Sequence, residues 1–211
     1  MKRYRVLGWT MLSVEVIVIL FFGLAMIFYP EPYSWNTQFL SALGLTRHDG
    51  GASNWTSCLL FGSALVAAGV GTAVYFIQRG LEFGKAFPRW LTVCAGIVSG
   101  IALAAIGLIP YDLSPDMHNW ATYVSGAIGV GAVMTLFQSD SAFGRRAESI
   151  IWCISGTFVM GIWLWLNYLR HIKMLPSRPT APLMQKMIVG FFICYMAYQA
   201  VALLVRAYRK K

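Results

Sequence analysis

Six long apolar blocks, separated by short polar segments, dominate the chain; they run over about 7–29, 55–78, 90–110, 118–138, 149–169 and 183–206. Each has the length of a bilayer-crossing helix, which needs about 20 apolar residues at 1.5 Å rise per residue. Backbone amides in hydrocarbon must be satisfied within the segment, so such blocks are helices. The pattern predicts an all-α fold, a polytopic bundle of six transmembrane helices forming one domain over 1–211.

The first block follows the basic stretch Met1-Lys2-Arg3-Tyr4-Arg5 and ends in Tyr-Pro-Glu-Pro. It is too long for the hydrophobic region of a signal peptide and lacks a small-residue cleavage site, so it reads as a retained helix. Only the first connection, about 30–54, is long, and its Asn, Ser, Gly and His content predicts an ordered polar cap. Short links elsewhere make consecutive helices antiparallel neighbours.

Charge then orients the bundle. Lys2, Arg3, Arg5, Arg79, Lys85, Arg89, Arg145, Arg146, Arg206, Arg209, Lys210 and Lys211 fall on one side, whereas Arg47, Arg170, Lys173, Arg178 and Lys186 fall on the other. Twelve basic residues against five place both termini in the cytoplasm under the positive-inside rule. The expected location is the cytoplasmic (inner) membrane of a prokaryote.

Composition agrees with this reading: of 211 residues, 58% are hydrophobic and 12% charged, with mean hydropathy +0.62. A soluble domain carries about 25% charged residues. The net charge of +9 does not point to nucleic acid, because the basic residues sit at helix ends and form no stripe with interleaved aromatics. They meet anionic headgroups instead. Cys58, Cys94, Cys153 and Cys194 lie inside apolar segments without a C-x-x-C pair, which fits compact packing residues.

Small residues recur every four positions at Ser63, Ala67 and Gly71 on the second helix and at Gly96, Gly100 and Ala104 on the third. Such stripes predict close helix packing. Asn54-Trp55 and Asn119-Trp120 each open a block, as a capping asparagine followed by an interfacial tryptophan would. The tryptophans and tyrosine of Trp163-x-Trp165-x-Asn167-Tyr168-x-Arg170-His171 serve as interfacial anchors.

Candidate chemistry concentrates on the non-cytoplasmic side, where the topology places His48, His118 and His171 with Asp49, Asp112 and Asp116, and with Asn36, Ser41, Asn54 and Asn119 nearby. Imidazoles and carboxylates are zinc ligands, so His48, His118 and His171 are possible metal ligands and His118, Asp112, Asp116 and His48 possible catalytic groups. No two histidines share a helix at ligand spacing, and the same residues also serve as a hydrogen-bonded cap. Asp112 and Asp116 suit the N-terminal end of the fourth helix through its dipole.

Glu15 stands apart, about 12 Å into the first helix at 1.5 Å per residue. An ionisable residue inside a span faces the bundle interior and marks a functional candidate, unless it is protonated or paired with a hydroxyl such as Thr10, Ser13 or one on a neighbouring helix. Glu15, Asn36, Ser41, Asp49, Asn54, Asn119, Asn167 and His171 form the candidate binding set. There is no G-x-S-x-G, H-E-x-x-H, Walker or G-x-G-x-x-G motif and no C-x-x-C-H, so conventional soluble-enzyme chemistry has no support and no cofactor is required.

At Asn36-Thr37-Gln38-Phe39-Leu40-Ser41-Ala42-Leu43-Gly44 with Asn54, and at Ile109-Pro110-Tyr111-Asp112 with His118-Asn119, the chain resembles a prokaryotic six-helix membrane family, domain of unknown function 998. That family is itself distantly similar to the Frag/DRAM/Sfk membrane proteins. The resemblance implies six helices, a polar extracytoplasmic first loop and a histidine opening the fourth helix, but no activity. The leading expectation is a non-catalytic integral membrane protein, an accessory subunit of a larger membrane complex or a lipid-binding protein. A metal-dependent lipid-modifying enzyme with an extracytoplasmic His/Asp site and a small proton- or ion-coupled transporter using Glu15 are the alternatives.

Overall fold

The computed structural model describes residues 2–48, 50–142, 146–172, 174 and 180–209. It contains six long helices, α1 (Lys2–Ile27), α2 (Trp55–Gly80), α3 (Ala86–Leu108), α4 (Pro115–Ala142), α5 (Arg146–His171) and α6 (Thr180–Arg209), with one 3-10 turn at Leu40–Gly44 in the first loop. Asp49 and the side chains of Cys153, Asn167 and His171 lie outside the described residues.

The all-α expectation and the number of helices hold, while the helices overrun the hydropathic blocks. The basic residues Lys2, Arg3 and Arg5 continue α1, and α4 begins three residues early at Pro115. Proline at the first helical position gives up no intrahelical hydrogen bond, so it starts the helix where hydropathy alone does not.

Each helix packs on the next in sequence and α6 returns to α1, so the six close into a ring. Four of them, α1, α2, α3 and most of α6, are long and apolar enough to cross a membrane. Their surfaces match that role. Ile19, Leu20, Leu59, Phe87, Ile101 and Val201 are exposed, whereas Glu15, Ser57, Arg79, Thr92, Ser99 and Gln199 are buried. Exposed apolar side chains along whole helices suit lipid and not water. The molecule is an integral membrane protein.

The tightest seam lies between α2 and α3. A Cβ on Gly100 would come within 2.5 Å of the Gly69 carbonyl oxygen, and one on Gly62 within 2.5 Å of the Gly107 carbonyl oxygen. The predicted α3 stripe therefore faces α2, with Gly96 seated on Phe76. On α2 the seam with α3 is made by Gly62 and Gly69, seven residues apart, while Gly71 of the predicted stripe packs on Val14 of α1. A straight helix turns about 700° in seven residues, close to two turns, so both glycines share a face.

The cysteine reading is corrected in part. Cys58 is buried with its Sγ 3.2 Å from the Gly44 carbonyl oxygen, but Cys94 and Cys194 are exposed on the helix exteriors.

At the end of the ring that holds the N-terminus, arginines cover the α2–α3 turn. Arg3 Nη2 donates to the Gln78 carbonyl at 2.5 Å, and Arg89 Nε and Nη2 donate to the Phe83 carbonyl at 3.1 and 2.7 Å. Buried Arg79 pairs with Glu82 one turn later. Cations here meet the negative end of the α2 dipole.

Candidate functional site

The first loop is ordered over the opposite end of the ring by three sets of side chains. The deepest is Asn54, buried at the entrance to α2. Its Nδ2 donates to the Leu43 and Leu45 carbonyls at 3.3 and 2.9 Å, and Ser57 Oγ donates to the Leu43 carbonyl at 3.0 Å. Asn54 thus holds the 3-10 turn, and no hydrogen bond runs from its side chain to the first turn of α2. The capping role expected for the two Asn-Trp pairs is corrected in both: Asn119 sits within the first turns of α4 and is exposed.

Asp112, between α3 and α4, supplies the second set. Its carboxylate accepts from Thr46 N at 3.0 and 3.1 Å, from Thr46 Oγ1 at 2.5 Å and from Arg47 N at 3.3 Å. Burial raises its pKa, but the hydroxyl and amide hydrogen bonds outweigh that, and the net position is below the usual carboxylate value. Asp112 therefore binds the loop, in place of the dipole role expected from sequence. Asp116 alone remains in the first turn of α4, exposed.

The third set comes from α6. Gln185 Oε1 accepts from Leu40 N at 2.6 Å, and Lys186 Nζ donates to the Gln38 carbonyl at 2.5 Å while lying 5.3 Å from the Tyr33 ring centroid and 5.6 Å from that of Trp35. Burial, with Tyr29 beside it, raises the Tyr33 pKa, so its hydroxyl stays protonated and donates to the Gln38 carbonyl at 3.3 Å. Gln185, Lys186, Thr46 and Tyr33 went unread as anchors in the sequence. Gln185-Lys186, a polar pair beside Pro182 inside an apolar block, was the available signal.

The two histidines whose side chains are described are engaged separately. His48 Nδ1 lies 3.6 Å from Glu31 Oε1 and its ring meets Tyr29 edge-on at 5.3 Å. His118 is buried, its Nδ1 2.7 Å from the Ile109 carbonyl oxygen and its ring 5.7 Å from Tyr111. Among the described residues, no group of three or more His, Cys, Asp or Glu side chains is placed to hold a metal ion. Asn36 is exposed and Ser41 half-buried.

Beneath the cap, the axis of the ring is hollow. An upper cavity of about 110 Å³ lies under Leu40 and Ser41 and is walled by Phe61, Ile106, Trp163 and Ile188. A lower one of about 120 Å³ is lined by Phe76, Ser99, Phe192, Met196 and Glu15. Phe22, Leu65, Leu103 and Val189 line both, so the two hollows share a wall and run end to end. Each is somewhat smaller than the apolar cavity of ~150 Å³ that takes up benzene in an engineered protein.

Glu15 is 6% exposed and faces the lower cavity. Thr10 and Ser13, its expected partners, lie on the exposed face of α1. One hydroxyl on the same cavity, Ser99 Oγ, donates to the Ser125 carbonyl at 3.1 Å. Of the sequence candidates, then, Ser41 and Glu15 reach the axial hollows, while Asp112 and Asn54 are committed to the cap.

A family model described as "Protein of unknown function (DUF998)" matches residues 14–206. No curated protein and no solved structure matches the chain.

Proposed function

The chain belongs to the DUF998 family, and since that membership carries no activity we propose, from geometry alone, that it is a non-catalytic lipid-binding membrane protein. In this reading the ring of helices holds one hydrocarbon chain of a membrane lipid along its axis. The observation that carries it is the pair of end-to-end apolar hollows sharing Phe22, Leu65, Leu103 and Val189. A chain moving from bilayer to cavity gains nothing from leaving water. Its gain is dispersion contact with wall atoms that otherwise face a void.

All six helices cross the bilayer in this proposal, with both termini in the cytoplasm of a prokaryotic cell, as the twelve-to-five distribution of basic residues favours. The ordered loop then closes the extracytoplasmic mouth over the upper cavity. Commitment of Asp112 and Asn54 to that loop favours binding over catalysis at this end.

Native mass spectrometry of the full chain, purified in mild detergent, tests the reading. Wild type should retain about one lipid per chain, and Ala68→Phe, which projects a ring into the lower cavity, should lose it while melting at a similar temperature. Wild type without lipid, or full retention in folded Ala68→Phe, would contradict it.

A further inference from the structure

We infer that the lower hollow is a recognition site for a small monovalent organic cation, an amine or quaternary ammonium bearing apolar groups, with the Glu15 carboxylate as its counter-charge. The inference rests on the lipid-binding reading, because it takes the same cavity as real and asks what chemistry its walls select. Its basis is a carboxylate that lines a cavity at 6% exposure, with no hydrogen bond or ion pair to it among the described residues.

An isolated carboxylate in an apolar surround is expensive to keep charged, so it either takes up a proton or acquires a counter-charge, and Glu15 is charged in the complex only when the ligand brings that counter-charge. None of the described residues at the cavity wall supplies one, the other polar groups there being the neutral side chains of Thr72, Ser99, Ser125 and Tyr195. A ligand bearing a positive charge supplies the missing partner.

Two further features narrow the class. Phe22, Phe76, Phe192 and Tyr195 line the same space, and aromatic faces attract desolvated organic cations. A divalent metal is a poor match, because calcium and magnesium take six or more oxygen ligands and the wall presents one carboxylate. The upper hollow adjoins the lower one at Phe22, Leu65, Leu103 and Val189, so an apolar group attached to the cation lies against side chains that border a second hollow.

Benzyltrimethylammonium and its uncharged carbon isostere neopentylbenzene, titrated into the full chain in nanodiscs, separate charge from shape. The cation should bind wild type at least about tenfold more tightly than the isostere and lose that advantage in Glu15→Gln, which still takes up the isostere. Equal binding of the two by wild type would overturn the inference and leave the lipid-binding reading standing. So would a cation preference that survives Glu15→Gln. Binding of neither ligand would also overturn the inference, while the lipid count in the native mass spectrum decides the lipid-binding reading separately. If Glu15→Gln does not fold, the wild-type ratio decides alone.

Discussion

Asp112 accepts four donor contacts from two residues of a loop more than sixty positions earlier, and it does so as a carboxylate. Asp112→Ala should cost about 1–2 kcal/mol, below the full value for charged hydrogen bonds because the site is partly solvated. Thermal melting in detergent measures it. The pH dependence follows from the sign of the shift. A carboxyl whose folded pKa is depressed contributes stability that is complete above its unfolded value of about 3.9 and is lost as pH falls through the folded value. Protection of the Thr46 and Arg47 amides, taken relative to the intrinsic exchange rate at each pH, should therefore be high at neutral pH and fall only below about pH 4. Fast exchange at pH 7 would contradict this.

Asn54→Ala removes the donors held by the Leu43 and Leu45 carbonyls and should destabilise by about 1–3 kcal/mol, with amide protection lost first in Leu40–Gly44. Equal loss throughout the chain would contradict that placement. The identity of these polar residues was legible in sequence because lone polar groups stand out against apolar blocks. Their partners were not. Asp112 lies near the start of α4, which suggested the helix dipole, whereas Thr46 reaches it only once α2 and α3 have folded back.

Among elements, the α2–α3 seam offers the sharpest contrast. Gly100→Leu places a side chain against the Gly69 carbonyl and Ala73 and should lower the melting temperature strongly, overpacking costing about 1–3 kcal/mol or more where backbone is the obstacle. Gly23→Ala on α1 meets nothing within 4 Å and should melt as wild type or slightly higher. Paired melting curves decide, and equal responses would dissolve the seam. The α3 stripe was readable because its four-residue repeat is regular. On α2, glycines, alanines and serines are so frequent that several registers look alike, and only the α1 and α3 contacts choose among them.

Across the molecule, block length and composition carried most of the architecture: six helices and an all-α fold follow from the absence of water to satisfy backbone groups. What they did not carry is the closing of α6 on α1, which brings residues of α1, α2, α3, α4 and α6 around one hollow. Glu15 was legible as an interior group, but its neighbours were not, because they come from α2, α3, α4 and α6 at once. Reporter fusions should place Asp112 and the Lys211 end on opposite sides of the membrane; signals on the same side would refute the proposed orientation.

The most direct measurement is a high-resolution structure of the purified chain in a lipid nanodisc, examined along the axis between Ser41 and Glu15. Elongated non-protein density in contact with Phe22, Leu65, Leu103 and Val189 is expected there. An axis closed by those four side chains packing on one another, with no space between them, would contradict it.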